Sequence, residues 1–367
     1  MTFPPLREEL RGLAPYGAPQ LTREQAPVQL NVNENPYGPS PETAADIARA
    51  VADVATGLHR YPDREFVALR TALAAYLDGD GGQGITPEQV WAANGSNEVM
   101  LQLLQAFGGP GRVALSFAPT YSMYPEYARD TVTEWVVGHR EQDFTLDLDH
   151  ARALVEEHRP SVVLLPSPNN PTGTALAPEA VTTLCEAVGD GGIVVVDEAY
   201  GEFRRAGVPS ALELLPEHRN LVVTRTMSKA FALAGARLGY LAADPALCDG
   251  IRVVRLPYHL SAVTQAVALA ALRHEKELLG RVDELRAERD ATVEWLRAQG
   301  LRVADSDANF VLFGVFRDRH AVWQGLLDRG VIVREVGPDG WLRVSIGTPD
   351  EMASFRLGLT QVMEEAS

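Results

Sequence analysis

Ile193-Val194-Val195-Val196-Asp197-Glu198-Ala199-Tyr200 is a run of four β-branched apolar residues that ends abruptly on two carboxylates and a phenol. The run is too short for a helix and has no polar face. It therefore reads as a strand covered on both sides, as in the parallel sheets of α/β proteins. Working outward, 90–93, 112–116, 131–136, 161–165, 221–224 and 238–242 repeat the pattern, and 98–107, 148–157 and 178–188 read as helices between them. This alternation predicts an α/β fold with a mostly parallel central sheet. Ligands of such sheets bind at the carboxyl ends of the strands, where the polar motifs of this chain fall.

Upstream, 1–39 is rich in Pro, Gly and Asn and reads as an irregular arm. A helical pattern starts at Pro41, breaks at Tyr61-Pro62-Asp63 and resumes to about Leu77. Downstream, a helical stretch from Ser261 to about Gln299 precedes a smaller α/β pattern, with strands near 309–313, 331–334 and 341–345 and helices near 319–329 and 350–364. The expected organisation is an arm (1–39), a large domain (40–258) and a small carboxyl-terminal domain (259–367).

Four motifs carry the chemistry. Asn94-Gly95-Ser96-Asn97-Glu98 follows a strand and opens a helix, so its amides serve either as a simple cap or as a grip for an anion. Ser167-Pro168-Asn169-Asn170-Pro171-Thr172-Gly173 is a turn that presents Asn170. Asp197 ends a buried strand and needs a partner: a protonated ring nitrogen, an ion pair or a Mg²⁺ ion. No second acidic cluster at ligand spacing supports the metal. The fourth motif is Thr226-Met227-Ser228-Lys229, with Arg237 beyond it. Only Lys229 and Lys276 among the 33 basic side chains are lysines, and all the others are arginine. Lys276 lies in a charged helical stretch. Lys229 lies among small residues, where arginine would serve as a charge but not as an amine that forms a Schiff base. Thr226, Ser228 and Arg237 offer a second grip on the same anion.

The formal net charge of −16 disfavours nucleic acid and acidic membrane as partners. Cys185 and Cys248 form neither a CxxC pair nor a metal set and read as buried thiols of a reducing compartment. With no apolar leader or membrane-length apolar run, a cytoplasmic protein is expected.

Together, LNVNENPYGPSP, HRYPD, NGSNE, PTYSMY, SPNNPTG, VVDEAY, TMSKAF, LPYHLS, DANF and LRVSIGT resemble the fold-type I aminotransferases that depend on pyridoxal 5′-phosphate. SPNNPTG and DEAY are widespread there. NENPYGPSP, RYPD, PTYSMY and RVSIGT point to the histidinol-phosphate aminotransferase subgroup. The resemblance implies that Lys229 holds the cofactor as a Schiff base and moves the substrate's proton. Asp197 would keep the pyridine nitrogen protonated, and Tyr200 and Asn170 would hydrogen-bond the ring's phenolic oxygen. Tyr121 would stack on the ring. Ser96, Asn97, Thr226, Ser228 and Arg237 would hold the phosphate, joined by Tyr61 from the other subunit of a homodimer. Arg343 would bind the substrate's acidic group, with Arg334, Tyr16, Tyr258 and Asn170 completing the substrate pocket.

The implied reaction is ping-pong exchange between histidinol phosphate and 2-oxoglutarate, giving imidazole-acetol phosphate and glutamate, in histidine biosynthesis. An aromatic amino-acid aminotransferase would use the same machinery, and a threonine-phosphate decarboxylase the same scaffold. A DNA-binding regulator would need an added domain and a basic surface. The chain departs from the subgroup at Asn97 (usually Asp), Ala232 (usually Gly), Ala236 (usually Leu) and His259 (usually Asn). Ala232 is expected to sit in a helix and be tolerated there. His259 adjoins the substrate pocket and bears on substrate preference.

Overall fold

The computed structural model describes residues 4–365 apart from 16, 18–20 and 23, and only the backbone of residue 9. Seven strands form the large sheet: β2 (Val90–Ala93), β3 (Val113–Ala118), β4 (Glu134–His139), β5 (Val162–Pro166), β6 (Ile193–Asp197), β7 (Leu221–Thr226) and β8 (Gly239–Ala243). Their order is β2-β8-β7-β6-β5-β3-β4. Only β8 runs against its neighbours. Every residue of β5, β6 and β7 is buried, as the apolar runs require.

Helices Ser96–Phe107, Leu148–His158 and Pro178–Val188 appear where expected, while Tyr124–Asp130 and Pro245–Val254 are additional. The expected helical stretch 261–299 is three helices: Ala262–Arg273, Glu275–Gly280 and Val282–Ala298. The first packs on Pro41–Ala55. Leu260, Ala268, Ala271 and Leu278 join the core of the large sheet. A second core gathers Leu30 and Tyr200 with apolar residues from Val282 onward. We therefore propose a domain boundary near residue 280 in place of the one at 258.

The small domain holds an antiparallel sheet ordered β12-β13-β10-β9, built from β9 (Arg302–Val303), β10 (Phe310–Gly314), β12 (Arg334–Glu335) and β13 (Leu342–Ser345). The expected strand 331–334 divides between two sheets. Its first part, β11 (Val331–Ile332), pairs in parallel with β1 (Val28–Gln29) of the arm. Two-residue strands carry no readable periodicity, and this pairing ties the arm to the small domain.

Candidate active site

The carboxyl ends of β6 and β7 and the arm enclose a cleft of about 490 Å³. Side chains alternate along a strand, so Asp197 and Glu198 face opposite ways. Asp197 takes hydrogen bonds from Tyr124 Oη at 2.9 Å, Thr224 Oγ1 at 3.2 Å and the Ala199 amide at 3.2 Å. Glu198 turns to Arg225, Ser210 Oγ at 2.7 Å and the Ala211 amide at 2.7 Å. Arg225 itself is fully buried and also pairs with Asp80. This ionic cluster anchors the strand end that presents Asp197. Burial pushes the Asp197 carboxyl above its ordinary range, against the three hydrogen bonds. Burial and the adjacent Asp197 charge keep the Tyr124 phenol protonated, and so a donor.

Lys229 Nζ donates to the Val32 carbonyl of the arm at 3.1 Å. Burial, helped by the positive charges of Arg343 and Arg237 and opposed by Glu34, lowers its pKa to about 8. The cleft lining carries Lys229, Arg237, Arg334 and Arg343 against Glu34 and Asp197. A strongly acidic chain thus concentrates positive charge where an anion would enter.

One end of the cleft is shaped so that it could cradle an anion. Helix Ser96–Phe107 starts at Gly95 without a side-chain cap, leaving its first amides open. A Cβ on Gly95 would meet Arg237 Nη2 at 2.5 Å, and one on Gly239 would collide with the Ser96 amide. Glycine at both places lets Arg237 and β8 close on the helix start. Thr226 Oγ1 lies 2.9 Å from Ser228 Oγ on the other side.

The opposite end belongs to Arg343. Its Nη1 donates to Asn170 Oδ1 at 2.6 Å and its Nη2 to the Asn31 carbonyl at 3.0 Å. Asn170 Nδ2 is 3.5 Å from Tyr200 Oη. Tyr121 lines the cleft edge-on to Tyr124, with ring centroids 5.5 Å apart. Ser96, Asn97, Tyr121, Asn170, Asp197, Tyr200, Thr226, Ser228, Lys229, Arg237, Arg334 and Arg343 are thus brought to one cleft.

Tyr61 and Tyr258 do not line it. Their rings stack on each other, 4.4 Å apart at 14°, and Tyr61 is 80% exposed. Tyr16 lies outside the described residues. His259 also faces away from the cleft: it stacks on Trp91, with Nε2 2.9 Å from the Ala92 carbonyl. Ala232 corrects an expectation. It stands in a bend at φ 54°, a left-handed position that suits glycine, and not in a helix. The sequence reading passed over Tyr124, Thr224 and Asn33. Tyr124 and Asn33 lie inside quoted motifs, but nothing local says what they touch.

A model of the aminotransferases of class I and II matches residues 26–356. The chain belongs to that family. A histidinol-phosphate aminotransferase of Thermobifida fusca is 64% identical over 97% of this chain and 94% of its own length. One of Frankia casuarinae is 62% identical over 96% of this chain and 88% of its own length. Among solved structures, the histidinol-phosphate aminotransferase of Sinorhizobium meliloti in complex with pyridoxal-5′-phosphate shares the aminotransferase fold. Its TM-score is 0.86 at 24% identity, over 100% of this chain and 99% of that one.

Proposed function

We propose that this aminotransferase uses pyridoxal 5′-phosphate to exchange the amino group of histidinol phosphate with 2-oxoglutarate, giving imidazole-acetol phosphate and glutamate, in histidine biosynthesis. The observation that carries the reading is the cleft itself: an amine of lowered pKa between an anion cradle and a pair of arginines. The near-full-length relatives of that name support the substrate.

The residues fit the cofactor. The uncapped helix start with Ser96 and Asn97, together with Thr226, Ser228 and Arg237, would hold its phosphate. Asp197 would keep a proton on the ring nitrogen, Tyr121 would cover the ring face, and Tyr200 and Asn170 would bond the phenolic oxygen. When bound, the cofactor supplies an electron-withdrawing ring that stabilises negative charge at the substrate's Cα. Lys229, neutral above pH about 8, would move the proton between the substrate's Cα and the cofactor's C4′. Arg343 orients the acidic group of either substrate, and Arg334 adds a second positive charge for a phosphate or a second carboxylate.

We propose that the enzyme works as a homodimer in the cytoplasm. Leu58, Tyr61, Val67, Val253, Leu256 and Tyr258 are all exposed; the Tyr61 ring stacks on Tyr258, and Arg255 joins the two segments through Glu65 at 2.7 Å. Such exposed apolar residues mark an interface, through which Tyr61 and Tyr258 would complete the neighbouring cleft.

The test is a half-reaction titration of the holoenzyme, following the cofactor's visible band. Histidinol phosphate is expected to discharge it at far lower concentration than phenylalanine. An equal or better response to phenylalanine would reassign the enzyme to aromatic amino acids.

A further inference from the structure

Resting on the Lys229 and Tyr200 roles above, we propose that Asn33 is a positioning residue which, with Ser345, turns the Tyr200 hydroxyl proton into the cleft. Asn33 is 2% exposed and joins three parts of the molecule: the arm, Tyr200 beyond β6 and strand β13. Its backbone is left-handed, at φ 57°, a conformation that asparagine tolerates better than most residues. Asn309 Nδ2 holds that backbone by donating to the Asn33 carbonyl at 3.1 Å.

The direction of each proton follows from the geometry. The Asn33 amide N–H donates to Ser345 Oγ at 2.9 Å. Ser345 Oγ then places its single proton on Asn33 Oδ1, 2.8 Å away. That bond fixes which end of the Asn33 side chain is oxygen, and so directs Nδ2 to Tyr200 Oη at 3.0 Å. A side-chain NH₂ can only donate. Tyr200 Oη therefore accepts on that side, with Asn170 Nδ2 a second, longer donor at 3.5 Å, and in this proposal its own proton faces the cleft it lines.

A donor held in this direction would stabilise the anionic form of the cofactor's phenolic oxygen, and so would lower the pH at which the visible band of the bound cofactor changes. Asn33, Ser345 and Asp197 are all buried, so water does not replace these bonds freely. Ser345 also lies two residues beyond Arg343 on β13. The strand that anchors the substrate's acidic group thus also sets the Tyr200 donor.

The experiment is a pH titration of the visible band in wild-type holoenzyme and in N33A, S345A, Y200F and N33A/Y200F. Y200F is expected to raise the midpoint, and N33A and S345A to raise it in the same direction by roughly half a unit to one unit. N33A should add nothing in the Y200F background. Unshifted midpoints in both N33A and S345A would overturn the proposal, as would an equal N33A shift with and without the Tyr200 hydroxyl. If N33A does not fold, the comparison of S345A with S345A/Y200F decides in the same way. A wild-type protein without any band would refute the Lys229 assignment instead.

Discussion

Arg334 and Arg343 stand directly opposite each other across the antiparallel pair β12–β13, and both line the cleft. Like charges in that relation repel. Nη1 of Arg334 is buried without a hydrogen-bond partner among the described residues. The pair is suited to a doubly charged ligand, and the two arginines should separate in their effects.

Replacing Arg334 with Gln should raise KM for the phosphate substrate about 10- to 100-fold, as expected for one charge-assisted hydrogen bond. It should leave a monocarboxylate amine nearly unaffected. Arg343→Gln should weaken every substrate. Steady-state kinetics with histidinol phosphate, glutamate and phenylalanine check both, and equal losses for all three in Arg334→Gln would contradict the division of labour.

Ala232 is a residue the fold would exchange. At φ 54° its Cβ is strained by roughly 1 kcal/mol, part of which glycine would give back through its freer unfolded chain. Ala232→Gly should therefore raise the thermal midpoint slightly, as read by calorimetry of the holoenzyme. A lowered midpoint would mean that the bend relaxes around alanine.

Gly239→Ala should do the reverse. A Cβ there falls on the Ser96 amide, and forcing it in should cost about 1–3 kcal/mol. Because the displaced atoms form the anion cradle, cofactor release should accelerate together with the loss of stability. Dialysis followed by absorbance would show it; unchanged retention would place the phosphate elsewhere.

The Lys229 amine titrates at about 8, below the ordinary lysine value of 10.5, because burial and two arginines disfavour its charge. Its neutral, nucleophilic form therefore gains ground as pH rises through 8. Cofactor rebinding to the stripped enzyme should accelerate over that window and level off above it. A rise continuing to pH 10 would indicate an unperturbed amine. Lys229→Ala should fold and lose transamination altogether.

Tyr61 is exposed and outside its own cleft. If it serves the neighbour, Tyr61→Ala and Lys229→Ala should complement. Mixed dimers would hold one cleft with both Lys229 and a neighbour's Tyr61. Refolding the two variants together should restore up to about a quarter of wild-type activity, since half the dimers are mixed by random pairing and one cleft in each is whole. No recovery in dimers verified by mass would end this reading.

The strand-end motifs were legible because the chemistry they serve is local. A buried apolar run ending in Asp197, a lysine spared in an arginine-rich chain, and a glycine before a helix each announce themselves within a few residues. Composition and periodicity alone therefore determined the α/β class and the order of the large-sheet strands along the chain, while the Asn94–Glu98 turn stayed open between a helix cap and a grip for an anion. What only the tertiary structure decided depends on distant contacts. The arm is a wall of the cleft because Val32 reaches Lys229 and Asn33 reaches Tyr200 and Ser345. Tyr124 holds Asp197 from 73 residues away. His259 turns into the core and Ala232 falls in a left-handed bend. Hydrophobic patterning shows which face of a residue is buried, but not which distant polar group it meets. Those meetings are set only when the two cores close on each other.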